Sequence, residues 1–157
     1  MDNKLPFYIE ILFENFYLDI LNLLCVLSVF KSKWSGIKIR ELSFYYCIII
    51  SKDNKIENNE IEDIKFDIQS LYINFEKDLK RIVLYLYNLN FIEITKKDDK
   101  DFDKVKIKIT DKGLQTVNSL ESSYFTEVIS YAKKIKSEVT FSKENENIIL
   151  GVSENEV

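Results

Sequence analysis

Histidine does not occur in this chain. Its absence removes the commonest general base and the commonest metal ligand. Serine–histidine and cysteine–histidine nucleophile pairs go with it, as do histidine-based zinc sites. Three glycines and one proline in 157 residues disfavour a glycine-rich phosphate loop and a many-turned β-sandwich. Two cysteines, Cys25 and Cys47, cannot make a zinc site alone. Each lies in an apolar run and reads as a small core residue of a reduced, cytoplasmic protein. An excess of positive charge is also missing. The net charge is −4, whereas a domain that lives on nucleic acid is usually basic, so any such contact must come from a local patch. No uncharged apolar run approaches the ~20 residues a membrane helix needs. No basic start precedes a small-residue cleavage site, so neither a span nor a signal peptide is expected.

What is present is globular: 46% hydrophobic, 31% charged and 13% aromatic residues, at a length that suits one domain. Residues 1–17 are apolar but mixed in period and read as an irregular N-terminal arm. Leu18–Lys33 is a helix, apolar around most of its circumference and therefore central; Gly36 is its expected stop. A short "GIKI" strand precedes a second helix, Ile39–Ser51. The acidic stretch that follows reads as an insertion over about 52–74. Phe75–Asn90 is a strong third helix whose inward stripe is Phe75, Leu79, Ile82, Val83, Leu86 and Leu89. Phe91–Lys96 and Val105–Thr110 form a hairpin around a charged turn. Thr110 or Asp111 can cap a long C-terminal helix from about Asp111 to Val139, which would span roughly 40 Å. Residues 140–157 are acidic and read as a flexible tail. The expected fold is mainly α with a small β-hairpin, in winged helix-turn-helix order, with a long C-terminal helix.

Three features carry functional alternatives. On the outer face of the third helix, Lys77, Lys80 and Arg81 can meet phosphates, while Leu84, Tyr85 and Tyr87 suit a protein interface. A packed helix with a plainly solvated outer face is the bland reading. In the hairpin, Lys104, Lys106 and Lys108 alternate with Val105, Ile107 and Ile109 and would share one strand face. Lys96 to Lys112 hold seven lysines and five aspartates, a net +2, which makes a weak patch for a DNA backbone. Lysine on a strand edge also blocks aggregation without any ligand. In the last helix, Tyr124, Phe125 and Tyr131 either pack on the core or meet a partner. Asp98, Asp99, Asp101 and Asp103 lack the glycine bend and closing glutamate of a calcium loop. No metal, cofactor, small-molecule substrate or membrane partner is expected, and no catalytic residue is assigned.

Four blocks carry a family resemblance: "LPFYIEILFENFYLDILNLLCVLS", "IKIRELSFYYCIIIS", "SLYINFEKDLKRIVLYLYNLNFIEI" and "ITDKGLQTVNSLESSYFTEVISYAKKI". Together they resemble the middle component of ABC-three-component systems, which includes the small winged-helix subunit of Lamassu-type antiphage defence. Leu120, Ser122, Tyr124 and Phe125 match that family's Leu-x-Ser-x-Tyr-Phe element. The resemblance implies a non-enzymatic accessory subunit that sits between an SMC-like or Rad50-like ATPase and a nuclease-like effector. Double-stranded DNA would be met through the complex. The alternative from the residues is a transcriptional regulator that binds DNA and dimerises through its long helix.

Overall fold

The computed structural model describes residues 7–51 and 61–151, with side chains from 16 to 51 and from 68 to 151. In chain order these form α1 (Phe7–Val29), β1 (Ile37–Lys38), α2 (Ile39–Ser51), α3 (Ile61–Asn88), β2 (Ile92–Lys96), β3 (Lys106–Ile109), α4 (Asp111–Asn118), α5 (Ser123–Glu138) and α6 (Lys143–Leu150). The described residues are mainly helical, with a small three-stranded antiparallel sheet of order β1-β3-β2.

The mostly apolar α1 is central, as its sequence indicates. Leu23, Leu24, Cys25 and Val26 have no exposed surface, because α2, α3, α4 and α5 all pack against this helix. On α2, Phe44, Tyr46 and Cys47 face the same core. The Tyr46 ring stacks on Phe75 of α3 with centroids 4.1 Å apart, and its hydroxyl donates to Asp19 of α1 at 3.1 Å. One tyrosine thus ties three helices together.

Asp19 makes that tie sensitive to pH. Burial raises its carboxyl above the ordinary value; the Tyr46 hydrogen bond works against the rise and the Asp78 charge adds to it. A carboxyl with a raised folded-state pKa is charged at a cost that is absent below the unfolded pKa and complete above the folded one. Asp19→Asn keeps an acceptor for Tyr46. It is expected to raise the urea midpoint at neutral pH and to converge with the parent as pH falls to about 3–4. A lower midpoint at neutral pH shows instead that the charge is stabilising.

The sheet alternates by rung. Ile37, Ile107 and Ile94 lie opposite one another on its core side, as do Ile92 and Ile109. Thr110 caps α4 by accepting from the Gly113 N–H at 3.1 Å, while its hydroxyl donates to the Asn90 carbonyl at 2.6 Å. The end of the hairpin is thereby pinned to the turn that follows α3.

Several boundaries differ from the expectation, each for a local reason. The irregular arm is helical from Phe7, so α1 is longer at its start and ends at Val29. Gly36 closes the turn after it, at φ +82°, and is not its first stop. The second half of the insertion joins the third helix, which begins at Ile61; residues 52–60 lie outside the described set, as do 1–6 and 152–157. The single long helix from Asp111 to Val139 does not form. Ser119 turns its hydroxyl back to the Thr116 carbonyl, Ser122 caps a new helix by accepting from the Tyr124 N–H, and the chain bends between them. Serine competes with the helix for backbone groups in this way. Both α4 and α5 then lie on α1. The acidic tail holds α6, capped by Ser142 and closed by Gly151 in the left-handed region. Leu150 and Glu146 are buried, and α6 packs on α3.

Candidate functional site

Helical spacing turns Phe75, Leu79, Ile82, Val83 and Leu86 of α3 inward, so the opposite stripe is forced out. That stripe carries Lys77, Lys80 and Arg81 together with three exposed apolar side chains. Ile73 is 57% exposed, Leu84 59% and Tyr87 47%. Tyr85 sits at the margin, half-buried, and joins an aromatic pair from the middle of α1. Its ring lies 5.8 Å from Phe16 and 6.2 Å from Tyr17, both edge-on. The Arg81 guanidinium stacks 4.2 Å from the Phe16 ring centre and pairs with Asp78 at 3.5 Å. Lys80 reaches over the Phe102 ring at 5.5 Å. Two of the three cations on this stripe are therefore engaged locally, whereas Leu84 and Tyr87 face solvent. Tyr17 and Leu18 continue the exposed apolar surface from α1.

The α5 aromatics stand elsewhere. Tyr124, Phe125 and Tyr131 are half-buried against the core. The Tyr124 hydroxyl accepts from Asn22 of α1 at 3.1 Å, and Phe125 lines a shallow groove with Val117, Leu120, Ile129 and Lys133. The α3 stripe and the α5 aromatics lie on separate elements and form no single patch.

The hairpin lysines also divide. Lys104 is not on the strand: it ends a short 3₁₀ turn, Phe102–Lys104, and pairs with Asp101 at 3.6 Å. Asp101 starts that turn by accepting from the Asp103 N–H, which pulls Lys104 out of the alternation. Lys106 and Lys108 share the outer face of β3, with Lys108 opposite Glu93. Lys106 lies opposite Lys38 of β1 on one side and Lys96 of β2 on the other. Beside this row stands Trp34, 89% exposed. It lines a shallow groove of about 380 Å³ with Ser35, Thr95, Lys96 and Lys106. Neither the tryptophan nor the lysine row was predictable from residue type alone, because the row exists only through strand register.

Burial pushes the Cys25 thiol up to about 12 and lifts Cys47 as well. Both are free and neither is a thiolate near neutral pH. Among the described residues no acidic or thiol cluster could hold a metal ion, and no helix is long and apolar enough to cross a membrane. No family model matches the chain, and neither a curated protein nor a solved structure is significantly similar to it.

Proposed function

We propose that this chain is a non-catalytic, cytoplasmic accessory subunit of an antiphage complex built on an SMC-like or Rad50-like ATPase, bridging that ATPase to a nuclease-like effector. The observation that carries the reading is the outer face of α3. Leu84 and Tyr87, one turn apart, stand in solvent on the same stripe as Ile73 about three turns earlier, on a helix whose other side is committed to the core. Apolar groups set together on one exposed face are costly unless a partner covers them, and tyrosine is enriched in such interfaces. The order of elements supports a winged-helix architecture, with β1 pairing the return strand β3 of the hairpin, as does the resemblance of the four sequence blocks. DNA contact is secondary in this reading and falls on Lys106 and Lys108, with Lys77 on the outer stripe of α3. The alternative, a regulator dimerising through a long C-terminal helix, has less support, because that segment is two short helices folded onto α1.

The test is co-expression with an SMC-like ATPase encoded in the same gene cluster. The two are expected to purify together. Leu84→Asp with Tyr87→Asp should weaken the association at least ~30-fold, the effect of losing even one hot spot of roughly 2 kcal/mol, and both exposed positions should leave the fold intact. A stable monomer that ignores the ATPase sinks the reading.

A further inference from the structure

Lys38, Lys106 and Lys96 form one rung of the sheet, a lysine from each of its three strands. Neighbouring strands lie about 4.8 Å apart, so the three ammonium groups fan out from backbone points spanning only ~10 Å. Like charges directly opposite one another destabilise a sheet. None of the three has an ion-pair partner within 4.0 Å among the described residues. The nearby acids are turned elsewhere: Asp98 accepts from the N–H groups of Lys100 and Asp101, and Glu93 faces Lys108 one rung away. Asp98 offsets Lys96 only through the field of its charge, and among the described residues no ion pair closes on the row.

Trp34 stands at the end of that row. The turn that carries it is held in place: Thr95 donates to the Ser35 carbonyl at 2.7 Å, and Gly36 bonds back to the Lys33 carbonyl at 3.0 Å. An indole that is 89% exposed yet rooted in a fixed turn offers an open ring face at little entropic cost. Cations for a phosphate backbone beside a flat aromatic platform are the pairing that binds single-stranded nucleic acid. A membrane surface fits less well. The residues that line the groove with Trp34 are Ser35, Thr95, Lys96 and Lys106, with no second large apolar side chain among them to enter a bilayer.

We propose that this sheet face binds an unpaired nucleic-acid strand, with one base stacked on Trp34 and the backbone lying along Lys96, Lys106 and Lys38. The site deepens the DNA-contact part of the reading above and is independent of the ATPase partnership, so each fails separately. It gives the subunit a means of holding a frayed end or flap, where a base is free to stack, in preference to an intact duplex.

Trp34 is the chain's only tryptophan, so its fluorescence reports the site directly. Titrating the full-length protein with an oligothymidylate at low salt is expected to quench the emission saturably. A blunt duplex of equal length should bind more weakly. Trp34→Ala, followed by the oligonucleotide's anisotropy, should lose about 5- to 150-fold in affinity. Lys38→Glu with Lys96→Glu and Lys106→Glu should abolish binding. The parent's log–log salt slope should be about −2 for three phosphate contacts. Lys106→Gln alone should weaken binding while raising thermal stability, because it relieves the repulsive rung; a merely structural lysine would not separate the two. The proposal is overturned if saturating oligonucleotide leaves the emission unmoved, if Trp34→Ala binds like the parent, or if the duplex binds more tightly. It is also overturned if phosphatidylserine-containing vesicles, and not the oligonucleotide, shift the emission.

Discussion

Gly36→Ala is expected to destabilise the protein by about 3 kcal/mol or more, lowering the melting temperature by roughly 6–12 °C for a chain of this size. Two effects add. The backbone stands at φ +82°, where an ordinary residue is strained by roughly 1–2 kcal/mol. A Cβ there would also lie 2.7 Å from the Ile107 carbonyl oxygen and 2.6 Å from Thr95 Oγ1. Ile107 is fully buried in the central strand of the sheet, so its carbonyl cannot retreat without moving the ladder. Gly151→Ala is the control. Its φ is +65°, but the atoms nearest the added Cβ are those of the amide end of the Gln69 side chain, which can swing away. It should cost about 1 kcal/mol. Urea denaturation of the two variants decides the matter, and equal losses would show that the close approach to the sheet is not what makes Gly36 necessary. Gly36→Ala should also displace Trp34, two residues away, and so weaken oligonucleotide binding beyond any effect of stability.

Arg40→Ala is expected to cost about 2–4 kcal/mol. Arg40 Nε pairs with Glu146 Oε1 at 2.7 Å, and the glutamate side chain is only 3% exposed while the arginine is 45% exposed. The arginine is therefore partly screened, but the carboxylate is not. Truncating the arginine leaves a buried charge without its partner. Asp103 suffers too: burial raises its carboxyl, the Asp101 charge adds to the rise, and Arg40 pulls it back. Replacing both ends of the pair by apolar residues, Arg40→Met with Glu146→Leu, should recover most of the loss, because it is the orphaned charge that is costly. Differential denaturation of the two single variants and the double variant measures this. If the double variant is less stable than Arg40→Ala, the pair is worth more than the burial it replaces. The contact also explains why residues 143–150 form a seated helix: Glu146 reaches the start of α2 while Leu150 enters the core.

What was legible depended on how local the cause was. The α2 helix runs from Ile39 to Ser51 as its periodicity indicates. The alternation of Val105, Ile107 and Ile109 places all three in the core. Apolar residues around most of the circumference of α1 meant a central helix, and Leu23 to Leu27 are enclosed by its neighbours. The break between α4 and α5 was written in Ser119 and Ser122, but apolar residues continue at helical spacing through it, and that period concealed two short helices. The acidic run around Glu146 had the composition of a solvated tail. Only a cation from α2, more than a hundred positions earlier, makes its burial possible. At the candidate site, helical spacing alone was enough to turn Leu84, Tyr87 and Lys77 outward. It could not show that Arg81 is engaged by Phe16 or that Lys104 belongs to a turn.

By itself, then, the sequence determined the helical class, the hairpin, the buried thiols and the outer face of α3. These follow from patterns of a few residues and from which groups water rejects. Tertiary structure alone decided that the C-terminal segment folds back onto α1 and that Glu146 is buried. It also decided that three lysines from distant positions stand on one rung beside Trp34. Register and ion pairing join residues across 60 to more than 100 positions, and no local pattern encodes which distant partner will arrive.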